Sequence, residues 1–224
     1  MSASKGCMLA AAVAGFTLAV SATAFAGVVT PVSVVASSEL SAYGRNAVNT
    51  INGSGLTGSG HGTDPSTMWL STGNGAAGGT ADPTPSITFD LGSVKSITNA
   101  QIWNYNEAGG TNRGVTSFKF SSSTDGITYS GSTIYTLSAA SGTAGNLAQV
   151  VSLSASAEFI RLSSLTSADS QGFVGLSEVR FTTATITDTT DVPEPSSIAL
   201  LVVGLAGCAF AVRRTQFTSA TIKA

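Results

Sequence analysis

The chain is poor in the residues that carry most enzyme and metal chemistry. Of its 224 residues, two are cysteine, one is histidine and two are tryptophan, and 10 % carry a charge, where about a quarter is usual. Two cysteines and a single histidine exclude every zinc motif that depends on their spacing. Ten Lys and Arg stand against twelve Asp and Glu, a net charge of −2, which argues against a nucleic-acid binder with its basic patch. There is no G-x-S-x-G elbow and no H-E-x-x-H. A glycosidase centre needs two carboxylates roughly 5 to 10 Å apart in a cleft; Asp82, Asp90, Glu107 and Asp125 are candidates, but a small sandwich with thin loops rarely frames a deep cleft. A His61–Asp64 pair could orient an imidazole, but no nucleophile stands beside it. The chain reads as non-catalytic. What it does contain is Gly, Ser, Thr, Ala and Val, with 25 glycines and 42 % hydrophobic residues, at a length suited to one domain with appendages.

The two ends read as targeting segments. Lys5 supplies a positive n-region, Met8 to Val20 an apolar run and Ala24-Phe25-Ala26 an A-x-A exit, so residues 1–26 are expected to be a signal peptide and the mature chain to start at Gly27. At the other end Pro193-Glu194-Pro195 precedes the uncharged stretch Ser196 to Val212, then Arg213-Arg214. That stretch, at about 1.5 Å per residue, reaches roughly 25 Å, near the lower limit for spanning a bilayer, and the arginines belong on the cytoplasmic side. A transmembrane helix over 196–212 is expected. If both ends are removed, Cys7 and Cys208 go with them, and no disulfide remains. Residues 27–191 hold six basic against eleven acidic residues, a net −5.

Pro-Glu-Pro, an apolar segment and an arginine cluster together resemble the PEP-CTERM sorting signal of Gram-negative bacteria over Val192 to Arg214. The resemblance implies recognition by an exosortase, a membrane protease-transpeptidase that removes the tail near Pro193-Glu194-Pro195. It also implies transit through the inner membrane, then residence at the cell surface among extracellular polysaccharide and biofilm.

Between the ends, short apolar-alternating runs recur between turn residues, the pattern of an all-β sandwich. Strands are expected at Val28 to Ala36 (an edge, by Pro31), Ser86 to Leu91, Ile97 to Tyr105 and Val115 to Ser121. Ile134 to Leu137, Gln149 to Leu153, Phe159 to Leu165 and Val174 to Phe181 follow. Ile87, Phe89 and Leu91 share one face, as do Phe118 and Phe120, with Thr88, Asp90 and Lys119 opposite. Asp125-Gly126 marks a turn. Gly53 to Asp64 and Thr72 to Pro85 should be long irregular loops, and 183–191 a Thr/Asp-rich spacer. Periodicity alone leaves an immunoglobulin-like sandwich open.

Several pieces in order resemble the discoidin, or coagulation-factor C-type, domain, a galactose-binding-like jelly roll. They are Ala47-Val48-Asn49-Thr50-Ile51-Asn52-Gly53, Thr67-Met68-Trp69-Leu70-Ser71, Ile87 to Gly92, Ile102 to Asn106, Arg113 to Phe118, Ser121 to Gly126 and Gly175 to Val179. The domain would cover 27–182. The resemblance implies one structural Ca2+, with Asn52 standing where the family usually has Asp, Thr67 and Glu178 at the matching positions, and Asp64 as a compensating charge. Oxygen-rich sets of this kind suit calcium. Sugar-binding members place His, Arg, Asn and an aromatic on loops at one end. Here Asn104, Tyr105, Asn106, Glu107 and Arg113 flank one loop, His61 lies on another and Phe173 in a third. Arg and Asn offer planar, bidentate partners to hydroxyls, and an aromatic offers an apolar face. The plain alternatives are an Arg113–Glu107 surface ion pair, a solvated His61 and core positions for Trp69 and Trp103.

Two functions therefore compete: an exported carbohydrate-binding module, and a structural, glycosylated matrix protein without a pocket. They differ in whether Arg113 converges with an aromatic.

Overall fold

The period-two pattern predicts which side chains leave the solvent, and the computed structural model, which describes residues 25–74, 80–185 and 205, shows where they go. Phe25–Thr185 form one compact unit. Its strands are β1 (Phe25–Val29), β2 (Ser33–Ala36), β3 (Leu56–Thr57), β4 (Gly60–His61), β5 (Trp69–Leu70), β6 (Ile87–Asn104), β7 (Val115–Ser123), β8 (Ser130–Thr136), β9 (Asn146–Leu147), β10 (Gln149–Ser167) and β11 (Gly175–Thr185). Every pairing between them is antiparallel.

Two long strands build the all-β jelly roll. The first half of β6 pairs with β2 and with the second half of β10, which continues to β7 and β8. The second half of β6 pairs with the first half of β10 and with β11, which continues to β1. Each long strand thus serves both layers and bends between them. The expected breaks at residues 92–96 and 154–158 are bends, not strand ends. The register slips from Ala157↔Lys95 to Phe159↔Asp90, and Gly92 turns there with φ +74°, a region glycine enters without steric cost.

The first expected strand is divided at Pro31. Proline lacks the N–H a continuous ladder needs, and β1 joins β11 while β2 joins β6. The loop Gly53 to Asp64 is not wholly irregular either. It contains the β3–β4 hairpin, to which β9 adds a third strand. At the C-terminal edge β11 runs to Thr185, three residues into the expected spacer, because β1 gives Thr183 to Thr185 backbone partners. Residues 1–24, the remainder of the spacer, the span 196–212 (apart from Leu205) and the sorting motif lie outside the described residues. Among the described residues no helix is long and apolar enough to cross a membrane.

The core lies between the layers. Ile87, Phe89 and Leu91 enter it from β6, Phe118 and Phe120 from β7, Ile160 and Leu162 from β10, and Val179 and Phe181 from β11. Phe89 and Phe181 meet edge to face across it at 5.6 Å. Trp69 is fully buried, with its indole N–H donating to Ser38 O at 3.0 Å. A second cluster, Leu40, Met68, Leu70, Tyr105 and Phe173, forms a small floor under the loops at one end.

Candidate functional site

Four loop segments meet above that floor. The segment Ser41 to Asn46 is tied to β5, with Leu40 N donating to Leu70 O at 2.9 Å and Leu70 N to Arg45 O at 3.3 Å. Residues after β6 fold back through a short 3-10 turn at Thr111–Arg113. Gly114 then bridges to Gly175 at the start of β11, which sets Arg113 beside Phe173. Gly73 passes under the Phe173 ring so closely that a Cβ there would lie 2.7 Å from it.

The result is a cavity of about 330 Å³ lined by Leu40, Tyr43, Arg45, Glu107, Arg113, Gln171 and Phe173. At its centre Glu107 accepts from Arg45 at 2.9 Å through Oε1 and from Arg113 at 2.8 Å through Oε2. The Tyr105 hydroxyl also donates to Oε2, at 2.9 Å. The guanidinium of Arg113 stands 5.2 Å from the Phe173 centroid. Two cations and one carboxylate leave the cavity with an excess positive charge. Burial pushes the Tyr105 hydroxyl well above its ordinary pKa, so it remains a donor to Glu107. The Nε atoms of Arg45 and Arg113 are buried without acceptors.

Of the residues the sequence offered for sugar, Arg113 and Phe173 line this cavity. The structure turns the others inward. Asn104 is buried, with Nδ2 donating to Val115 O and Ser138 O and Oδ1 accepting from Tyr105 N and Val115 N. Asn106 is buried too, donating to the carbonyls of His61, Gly62 and Thr143 and accepting from Gly142 N. Both tie loops together. Tyr105 is part of the floor and reaches Glu107 through its hydroxyl. His61, expected on a solvated loop, is fully buried because β4 is flanked by β3 and β9. Its Nδ1 faces Gly62 O at 3.0 Å, and its Nε2 has no partner. Sequence reasoning placed Glu107 on this loop, and weighed it as a glycosidase carboxylate and as an ion-pair partner, but missed Arg45, Tyr43 and Gln171. Arg45 could have been found as the one basic residue between Val28 and Ser86. Nothing in the local sequence marks Tyr43 or Gln171.

The expected calcium residues gather in part. Glu178 is fully buried, accepting from Gly53 N at 3.1 Å and Arg180 Nε at 3.2 Å. Ser54 Oγ donates to Thr67 O at 3.3 Å, so Asn52 to Ser54, Thr67 and Glu178 share one locality. Gly55 closes it; a Cβ there would lie 2.5 Å from Thr67 Oγ1 and 2.6 Å from His61 Cε1. Burial raises the Glu178 carboxyl to about 6 against the two hydrogen bonds that oppose it, the condition a further cation relieves. Asn52 Oδ1 accepts from Ser54 N. Asp64 caps the Pro65–Thr67 turn through Ser66 and stays exposed, its carboxyl held below the usual range chiefly by the Ser66 N–H. Glu178 is thus the one carboxylate of this locality, Asp64 does not join it, and among the described residues no three His, Cys, Asp or Glu side chains gather to hold a metal ion.

Fold and cavity together define a jelly-roll domain with a cavity among the loops at one end. The chain belongs to the F5/8 type C domain family, which matches residues 33–179, and it carries a PEP-CTERM protein-sorting motif at 191–214. No curated protein matches it. Among solved structures, the C-terminal domain of a chitobiase from Bacteroides fragilis is 15 % identical over 71 % of this chain and 99 % of its own, with a TM-score of 0.52. The family 32 carbohydrate-binding module of NanJ from Clostridium perfringens, solved with galactose, is 18 % identical over 70 % and 99 %, with a TM-score of 0.47. A further Clostridium perfringens module of that kind, solved with GalNAc-β-1,3-galactose, is 20 % identical over 66 % and 93 %, with a TM-score of 0.48. At 15 % identity the likeness to the chitobiase domain shows the fold alone.

Proposed function

We propose that this is an exported, non-catalytic carbohydrate-binding protein whose sugar site is the cavity of Arg45, Glu107, Arg113 and Phe173. The observation that carries the reading is the convergence of Arg113 with Phe173 over a carboxylate that holds both arginines. Glu107 fixes the two guanidinium groups, so their N–H groups meet a sugar's hydroxyls without first being ordered. Phe173 supplies the apolar face that the ring's C–H surface requires. A matrix protein acting only through bulk and hydration has no use for such a constellation. Sorting by an exosortase at Pro193-Glu194-Pro195, with Arg213 and Arg214 retained inside, delivers the domain to the surface and its polysaccharide.

Structural Ca2+ belongs to the same proposal. Glu178 and oxygens of Thr67 and the Asn52 to Ser54 loop would hold it, and the ion would supply positive charge that pins the loop to β11.

The test is a glycan array with the full chain in detergent, repeated for Arg113→Ala and in the presence of chelator. Saturable binding to a neutral glycan that falls at least tenfold in Arg113→Ala, with an unchanged Tm, is expected. Equal binding by both proteins, or none across the array, overturns the sugar site. A Tm that ignores chelator overturns the calcium assignment and leaves Arg180 as the cation that compensates Glu178.

A further inference from the structure

A second cavity, larger than the one at the loop end, lies elsewhere on the domain. A cleft of about 530 Å³ lies along the outer face of the layer formed by β2, β6, β10, β7 and β8. Strand register explains its floor. Val35 pairs with Thr88, Thr88 with Arg161 and Arg161 with Ser121, one row across four strands, and Ser163 pairs with Lys119 in the next row. Their sequence neighbours Phe89, Ile160, Leu162, Phe118 and Phe120 are in the core, so alternation turns this set outward.

Charge in the cleft is one-sided. Lys119 and Arg161 both line it, and among the described residues neither has a carboxylate partner, since the three ion pairs involve Arg45, Arg113 and Arg180. Asp82 meets the rim at two lining residues, accepting from the Ser37 hydroxyl and the Thr84 N–H, and pairs with neither cation. Two of the six basic residues between positions 27 and 191 therefore share one groove in a segment of net −5. Arg161 is held in place: its guanidinium carbon lies 3.7 Å from the Tyr129 centroid, and its Nε donates to Thr88 Oγ1 at 3.2 Å. Its terminal nitrogens have no acceptor among the described residues.

A second, independent observation falls on the same groove. Ser164, which lines it, has φ +49°, the only non-glycine residue with positive φ among the described residues. It sits where the β10–β7 register is disrupted, between Ser163 and Thr166. Backbone strain of this kind persists only where surrounding structure imposes it, and it gathers at functional positions.

We infer that this groove is a second binding site, for a run of uronate-bearing polysaccharide. A floor of Ser and Thr hydroxyls matches a polyhydroxylated chain, and an oriented guanidinium with a nearby ammonium matches carboxylates carried on it. A neutral glycan needs a free aromatic platform, and the ring of Tyr129 is already occupied by Arg161. Nucleic acid would need a broader basic surface than two residues in an acidic segment provide. At about 530 Å³ against about 330 Å³, the groove accommodates more of a chain than the loop-end cavity does. The inference does not depend on the loop-end sugar site.

Titration calorimetry on the full chain in detergent tests it, with tetragalacturonic acid and its fully methyl-esterified form as probes. The acid should bind saturably at low salt and weaken as ionic strength rises, and the ester should not bind. Lys119→Gln and Arg161→Gln should each weaken binding at least tenfold, and Arg113→Ala should leave it unchanged. Lys119 is an outward side chain, so its variant keeps the test valid should Arg161→Gln disturb the sheet. Undiminished binding in Lys119→Gln, equal binding of acid and ester, or no binding by the wild type overturns the site. Loss of binding in Arg113→Ala moves the acid to the loop-end cavity and overturns it equally.

Discussion

Two pairs of basic residues occupy opposite electrostatic circumstances in this domain. Arg45 and Arg113 at the loop end share Glu107, and that carboxylate also takes the Tyr105 hydroxyl. Arg161 and Lys119 on the sheet face share nothing but hydroxyls and a tyrosine ring. The first pair is neutralised in part and held by charge; in the second Arg161 is held by stacking, and both cations keep their charge available. A paired cation suits a polar ligand that must be oriented, and an unpaired one suits a ligand that brings its own negative charge.

Removing the shared carboxylate breaks the comparison most severely. Glu107→Ala leaves two half-buried guanidinium groups facing each other and strands a tyrosine hydroxyl. The expected cost is about 2–3 kcal/mol, less than that of a fully buried pair because solvent reaches the site. Urea denaturation measures it, and a loss below about 0.5 kcal/mol would mean that the ion pairs are incidental to stability.

A second experiment asks whether Glu178, next to Arg180, behaves like the paired or the unpaired group. Its folded-state pKa is raised from 4.5 to about 6, so between those values the folded protein holds the proton more tightly than the unfolded chain does. Stability should therefore fall as pH rises from about 4.5 to about 6. Glu178→Gln should flatten that slope, and saturating Ca2+ should recover the stability lost above pH 6. Asp64 and Asp125 have lowered carboxyl pKa values, so their contributions disappear only below about 3.8, outside this window. A slope that survives in Glu178→Gln assigns the titration elsewhere.

The smallest effect is expected on the sheet face. Tyr129→Ala frees one side of the Arg161 guanidinium and should cost about 0.5–1 kcal/mol. A change of 2 kcal/mol or more in denaturation would show that the stack is part of the fold and not a device for presenting Arg161.

The layers were legible in the sequence because alternation is a local signal: Phe118 and Phe120 go in and Lys119 goes out whatever the partners. The continuity of β6 and β10 was not legible. Gly92 and the small residues 154–157 look like turns, and only pairing with a neighbouring strand shows that they bend instead. At the loop end, Arg113 was readable by motif position, and Phe173 only as an aromatic in a polar loop. Asn104 and Asn106 have the chemistry of sugar ligands, and that same chemistry suits them to satisfying loop carbonyls from inside. Which way they point is decided by the strand end before them and by the arrival of the segments around Val115 and Thr143. Arg45 reaches Glu107 from 62 residues away in sequence, a separation no spacing rule covers.

β11 begins two residues after Phe173 and runs eleven residues to Thr185, roughly 35 Å at strand rise. A load between a sugar held in the pocket and any anchor beyond Thr185 would travel along that one strand. β11 is laced to β6 on one side and β1 on the other, with its hydrogen bonds across the direction of pull. Those bonds would have to fail together under shear and could not open one at a time like a zipper. With the sugar site as proposed, grip and tether would share a single reinforced cable.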